Sequence, residues 1–392
     1  MRLSVHNLGR IRDAELQLRP LTALYGANNT NKTWLANAAY SSARRLSLEG
    51  RMEGFAWPGP GEGKLAPELQ RVLSEARAVL EARDGAEYSY TLTAAQVPTP
   101  SDGYGGHAGT LARWLGLPDL LRPDAHSRLA REAGEGGLFD RLTVKIRRSG
   151  TKLSVAGELS GEAFESFPLE SSHSRADLQV ATLGPVAWLR DSVYRRAFAV
   201  TEDRLTQADA MGRPPKGPGQ IDAPSPWSAE SSRDAQRALG ELCSQSPEVR
   251  QSQGGDPELA ERLAADVLGG QIEMAPNGTL SFRQGQVRLP LPAAGGGVRA
   301  LATFSTYLSF LAGPGDLLFF DAPELLLGDS ALRALTGVLL AMPERGYHLI
   351  VCTRSRALAQ ALGEHDLAAL YALDERPDGA VVPQRAAPGA LD

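Results

Sequence analysis

One stretch constrains this chain more than any other. Leu21-Thr-Ala-Leu-Tyr25 leads into Gly26-Ala-Asn-Asn-Thr-Asn-Lys-Thr33, and a run rich in Ala and Leu then continues to about Arg45. The short apolar run reads as a buried strand and the later run as a helix, with the loop between them. A strand that turns directly into a helix aims loop N–H groups and the positive end of the helix dipole at one spot. The order is that of a phosphate-binding loop: glycine, four residues, one further position, then Lys-Thr. On that reading Gly26, Asn28, Asn29, Thr30, Asn31, Lys32 and Thr33 form the cradle. Lys32 reaches the terminal phosphates and the Thr33 hydroxyl ligates Mg2+. Asn31 stands where the pattern has glycine, and Asn is among the least costly replacements where positive φ is needed. The plainer reading is an ordinary strand–helix turn.

A second element supports the first. Asp316-Leu-Leu-Phe-Phe-Asp321 is an apolar strand that ends in an acid, the way an acid is delivered beside Mg2+. A buried core strand with an incidental Asp is the alternative. Around it the chain alternates: helix 298–311, strand 316–321, helix 330–342, strand 347–353, helix 355–362, strand 366–373. Strands alternating with helices imply a largely parallel sheet. Before the loop, Leu3–Leu8 and Ile11–Leu18 read as a hairpin. Elsewhere, 111–132 reads as an interrupted helix, and 191–200 as the start of another. Residues 54–63 and 97–109 read as breaks, 142–148 and 152–159 as paired strands, and 211–226 as a proline-rich linker.

Composition excludes several classes. The 392 residues carry 41 Lys+Arg against 46 Asp+Glu, a net charge of -5, so the chain as a whole is no obvious polyanion binder. Two cysteines cannot make a disulfide framework or a four-cysteine zinc site, and the six histidines show no metal spacing. The arginine-studded start is not a signal peptide, and no apolar run approaches a membrane span. The expectation is a cytoplasmic protein without a membrane partner.

At both ends the chain resembles the ABC/SMC-like ATP-binding heads of the RecF and OLD type, often described as AAA-family ATP-binding proteins. Val5 to Leu16 resembles the opening hairpin of that family, and Leu21 to Leu35 its phosphate loop and first helix. Gly295-Gly296-Gly297 sits at its signature before a helix. Asp321-Ala-Pro-Glu324 resembles its Asp-Glu-Pro-Glu segment, and Thr353-Arg354-Ser355 its Thr-His-Ser switch. The resemblance implies an α/β P-loop head with a mixed, largely parallel sheet, an N-terminal β-hairpin region and a helical insertion. It implies ATP and Mg2+ as ligands, with Thr33 and Asp321 on the metal. It implies pairing with a second copy or a related head, and a separate effector. The implied setting is phage defence or DNA maintenance, with nucleic acid an open partner.

The departures bear on turnover. Ala322 stands where the family has the acid that polarises the attacking water. Arg354 replaces the switch histidine, the signature serine is missing from Gly295–Gly297, and Asn31 replaces glycine. Loss of a general base alone costs about 10²- to 10⁴-fold. Lys32, Thr33 and Asp321, which serve binding, survive. The expectation is a hydrolysis-impaired nucleotide-binding head. A slow but active ATPase and a nucleotide-free scaffold remain as alternatives. Arg354 could serve as a cis-acting finger. Glu324 could serve as a displaced base, although three residues past Asp321 it is expected to turn away. Trp34 either stacks on a base or packs its helix. Arg141, Lys145, Arg147, Arg148 and Lys152 form either a nucleic-acid ridge or a solvated face. The expected layout is a split head of residues 1–45, about 140–200 and 270–373. A mostly helical insertion takes 46–139, a linker and helical segment 201–269, and a frayed tail 374–392.

Overall fold

The computed structural model describes residues 1–47, 67–81, 85–96, 104–117, 121–132, 137–149, 152–165, 169–170, 185–186, 189, 192–201, 204–205, 228–252 and 254–391. The break expected over 54–63, the linker over 211–226 and Arg190 lie outside the described residues. The chain forms two compact units. One comprises Met1–Ala43, Tyr104–Glu132 and Arg196–Asp392, and the other Arg44–Gly103 and Ala133–Arg195.

The first unit is an α/β structure on a ten-stranded mixed sheet. Across the sheet the strands run Ala197–Val200, Leu317–Asp321, His348–Thr353, Leu21–Tyr25, Ala368–Glu375, Val381–Arg385, Ile11–Gln17, Arg2–Leu8, His126–Ala130 and Tyr104–His107. The first five are mutually parallel. They read as continuous apolar runs because a parallel sheet is covered on both faces, and Leu317–Asp321 and Ala197–Val200 are buried throughout. Helices Gly296–Phe310, Asp329–Glu344 and Arg356–Gly363 press Leu301, Phe304, Leu335, Leu339 and Leu358 into one core with Leu318, Phe320 and Val351. Ile11–Gln17, Arg2–Leu8, His126–Ala130 and Tyr104–His107 form an antiparallel flank, which includes the expected N-terminal hairpin. Only one residue pair, Val381 with Ile11, joins that flank to the strand Val381–Arg385. A separate three-stranded sheet takes Gln271–Met274, Leu280–Gln284 and Val287–Pro290.

The second unit has its own five-stranded sheet. Glu87–Thr93 pairs with Arg141–Ser149, which pairs with Lys152–Leu159, and Tyr90, Leu92, Leu142, Val144 and Ile146 share a core. Residues 140–195, expected within the head, therefore lie in this unit, because the alternating face of 141–149 is satisfied by 87–93. The described residues of 46–139 are not mostly helical. The stretch holds Glu87–Thr93, and its part 104–132 joins the first unit. There the helix Ala108–Leu115 stops at Gly116, left-handed at φ 68, and His126–Ala130 alternates exposed and buried as a strand. Residues 197–200 form a strand rather than a helix. Four apolar residues fit either period, and pairing with Leu317–Phe320 decides. The tail is ordered by Val381–Arg385, which pairs antiparallel with Tyr371–Glu375, and Leu391 is buried.

Candidate functional site

Leu21–Tyr25 lies between His348–Thr353 and Ala368–Glu375, with Leu317–Asp321 one strand further. These four strands point their carboxyl ends the same way, so the loops after Tyr25, Asp321 and Thr353 converge. That edge is where open α/β sheets hold ligands. A cleft of about 910 Å³ opens there. It is lined by the loop 28–34, by Gly9 and Arg10, by Asp321, Ala322, Glu324 and Leu325, and by Cys352, Thr353 and Arg354.

The loop geometry follows from its residues. Gly26 is required by close packing: a Cβ there would lie 2.8 Å from the Leu373 carbonyl oxygen. Thr30 is buried and its hydroxyl donates to the Ala27 carbonyl at 2.9 Å. Asn29 and Asn31 take left-handed φ of 65 and 59, a region Asn tolerates better than most residues. Lys32 Nζ donates to the carbonyls of Gly26 (2.8 Å) and Ala27 (2.6 Å) and to Thr30 Oγ1 (3.3 Å). Its ammonium is thus held over the loop at the mouth of the helix Lys32–Arg45.

Thr33 Oγ1 donates to Asp321 Oδ1 at 3.3 Å, joining the first helix to the end of the late strand. Two hard oxygens beside the cleft suit Mg2+, which takes one or two protein ligands and completes its shell from phosphate and water. Among the described residues no group of three or more His, Cys, Asp or Glu side chains could hold a metal ion. Beyond Asp321 the backbone bends: Ala322 has φ 46, and its N–H donates to the Cys352 carbonyl at 2.9 Å. The fully buried Arg204 donates to the carbonyls of Asp321 (2.7 Å), Ala322 (2.6 Å) and Thr201 (3.2 Å). Glu324 does not turn away: it lines the cleft, and its Oε1 accepts from the Arg354 N–H at 2.9 Å. Thr353 Oγ1 accepts from the Ser355 N–H at 2.9 Å, and Ser355 caps the next helix.

The hairpin turn supports the loop from the other side. A Cβ on Gly9 would come within 2.6 Å of both Asn31 Nδ2 and the Trp34 ring, so Trp34 packs under this turn. The Arg10 N–H makes a long contact to Asn31 Oδ1 (3.4 Å), and Arg10 Nη1 donates to the Asn29 carbonyl at 3.1 Å. The turn itself is anchored by Asn7, which donates to Asp124 Oδ2 at 2.7 Å. Beside it the His6 Nδ1 lies 2.5 Å from Asp13 Oδ1, a hydrogen bond that raises the His6 pKa.

The structure brings the loop residues, Asp321, Ala322 and Arg354 into one cleft. It does not bring Gly295, Gly296 and Gly297 there. They open the helix Gly296–Phe310 next to Leu326 and Leu327, and only Gly297 is crowded, its Cβ position 3.1 Å from the Leu326 carbonyl. In the second unit Lys145 pairs with Glu87 at 2.9 Å, which neutralises part of the basic hairpin. Sequence reasoning missed Gly9, Arg10, Leu325, Cys352 and Arg204. The Leu21–Tyr25 and 348–353 strand ends point to some of these, but no local pattern singles out Arg204. Among the described residues no helix is long and apolar enough to cross a membrane.

No family model matches the chain, and no curated protein matches it. Among the solved structures it is similar to are SMC heads. An SMC head bound to the C-terminal winged-helix domain of ScpA is 13% identical, covers 98% of this chain and 97% of its own, and gives a TM-score of 0.41. The SMC head domain from Thermotoga maritima is 10% identical over 98% of each chain, with a TM-score of 0.36. An SMC head with an extended coiled coil, bound to the C-terminal domain of ScpA derived from Pyrococcus furiosus, is 12% identical. It covers 98% of this chain and 96% of its own, with a TM-score of 0.41. At TM-scores below 0.5, the chemistry of the site stands on its own geometry.

Proposed function

We propose that the chain binds ATP with Mg2+ in the cleft at the strand ends and hydrolyses it slowly, so that occupancy sets pairing with a second head or a partner protein. One observation carries this reading: Thr33 and Asp321, 288 residues apart in sequence, meet at 3.3 Å in the cleft that Lys32 also lines. Loop N–H groups and Lys32 would hold the phosphates, Thr33 and Asp321 would hold Mg2+, and the metal would supply charge neutralisation between the phosphates. Impaired turnover is supported by Ala322, which offers no acceptor at the position next to Asp321.

Calorimetric titration with ATP and Mg2+ tests it. Micromolar affinity, about 8 kcal/mol, is expected, and Lys32→Ala should weaken it at least about 100-fold, roughly the contribution of charge-assisted bonds to phosphate. Sedimentation with and without ATP reads the pairing. Absence of heat from the unaltered protein would leave a scaffold on an ATPase-like fold. Asn31→Gly is expected to change ATP affinity by less than about threefold, because the Asn31 side chain lies against the hairpin turn. Its effect on melting should stay within about 1 kcal/mol, the conformational cost of a glycine. A tenfold gain in affinity would show that the side chain obstructs the phosphates.

A further inference from the structure

We propose that His6 is a proton switch on the hairpin turn that supports the phosphate loop: neutral, it holds the turn through Asn7, and charged, it takes Asp124 for itself and releases the turn. The switch stands on the geometry around the turn. Its effect on ATP rests on the nucleotide-binding reading above.

The bonds around the imidazole are laid out for one charge state. Nδ1 lies 2.5 Å from Asp13 Oδ1, and a carboxylate only accepts, so Nδ1 carries the proton. In the neutral ring Nε2 is then a bare acceptor, and Asn7 Nδ2 donates to it at 2.9 Å. The second hydrogen of the same Asn7 nitrogen goes to Asp124 Oδ2 at 2.7 Å. Asn7 thus clamps the first strand to Asp124 while its own backbone sits at φ 50, beside the turn. A second proton on the ring converts Nε2 from acceptor to donor. It then meets the Asn7 amide donor to donor, and Asp124 Oδ2, already 3.6 Å away, becomes its partner. The His6 side chain is 34% exposed, so the proton comes directly from solvent.

The groups that face His6 are Asp13 on one neighbouring strand, Asp124, and His126 on the other, whose ring centroid lies 5.0 Å from that of His6. His107 continues the same cross-strand row beyond His126, and Glu15 and Arg128 stand two residues along on the same face. The bond to Asp13 favours the charged ring and lifts its pKa above the usual histidine value, which moves the exchange towards neutral pH. The contacts of the turn carry the exchange to the cleft. Gly9 packs against Asn31 and Trp34, and Arg10 Nη1 holds the Asn29 carbonyl at 3.1 Å.

The test is tryptophan fluorescence without nucleotide between about pH 5.5 and 8.5, the range in which histidine titrates, with Trp34→Phe subtracted to isolate Trp34. The unaltered protein is expected to show a one-proton step. His6→Gln should abolish it, His126→Gln should keep it, and Asn7→Ala should hold the acid signal at every pH. Thermal melts report whether each variant is folded. Calorimetry with ATP and Mg2+ over the same range is expected to show affinity about fivefold weaker on the acid side, beyond any change seen in His6→Gln, which accounts for titration of the nucleotide itself. A step that persists in His6→Gln, or no step in the unaltered protein, overturns the switch. A His6-dependent step with the same ATP affinities in the unaltered protein and His6→Gln overturns its coupling to the cleft. Absence of ATP binding at every pH, with the step intact, overturns the nucleotide reading alone and upholds the switch.

Discussion

Replacing Arg204 with methionine is expected to lower the unfolding free energy by about 3 kcal/mol, the cost of stranding several buried acceptors. The guanidinium is fully buried, and its donors reach the carbonyls of Thr201, Asp321 and Ala322 at 3.2, 2.7 and 2.6 Å. It also sits 5.6 Å from the centroid of the Phe320 ring, close enough for a cation–π contribution. Methionine fills similar space and removes the cost of burying a charge, which offsets part of the loss. The carbonyls of Asp321 and Ala322 are then left without this donor. Arg204→Lys keeps the charge but not the planar fork, and should lose about half as much. Urea denaturation checks both, read as a lower midpoint at unchanged slope. A loss below about 1 kcal/mol would show that other donors serve these carbonyls. Because the same bonds set the backbone that leaves Asp321, on both sides of Ala322, Arg204→Met should weaken ATP binding as well.

Asp256→Ala is expected to cost about 4 kcal/mol, from three contributions that meet on one carboxylate. Oδ1 caps the helix Pro257–Arg262 through the Leu259 N–H at 3.1 Å, a cap worth about 1 kcal/mol. Both oxygens take Arg345, through Nη2 and Nε at 2.9 Å each. The Arg345 side chain is 35% exposed, so solvent screening limits that pair to roughly 1 kcal/mol. The buried Tyr347 hydroxyl donates to Oδ2 at 3.1 Å and would be orphaned, at about 1–3 kcal/mol. Asp256→Asn keeps one acceptor oxygen, which can serve both the Leu259 N–H and Arg345 Nη2, loses the oxygen that takes Arg345 Nε and Tyr347, and should cost about half. If asparagine costs as much as alanine in the same denaturation experiment, charge rather than hydrogen bonding carries the contribution.

The legible parts of this protein are those whose information is local. The hairpin over 2–17, the strand Leu21–Tyr25, the helix from Lys32 and the late strand–helix alternation all follow from period and punctuation over a few residues. The left-handed φ of Asn31 belongs with them, since asparagine itself signals the tolerance. The sequence says less where distant partners decide. Ala197–Val200 becomes a strand only because Leu317–Phe320 is there to pair with it. The alternation in 141–149 is plain, but nothing in it tells which sheet it joins. Arg204 gives no signal, because its partners are main-chain carbonyls whose positions depend on the fold. Glu324 was misplaced because its return to the cleft hangs on the φ of Ala322, a residue with no preference for that region.

The central strand of the parallel group has a consequence for the order in which the molecule can be made. Leu21–Tyr25 is flanked by His348–Thr353 and Ala368–Glu375, so both neighbours lie about 330 residues or more further along the chain. At about 5–20 residues per second, a ribosome needs tens of seconds to reach them. During that time an apolar strand and the loop beside it have emerged without either partner. The cleft at its carboxyl end therefore waits on strands translated hundreds of residues later, and the early strand stays open to wrong partners until they arrive.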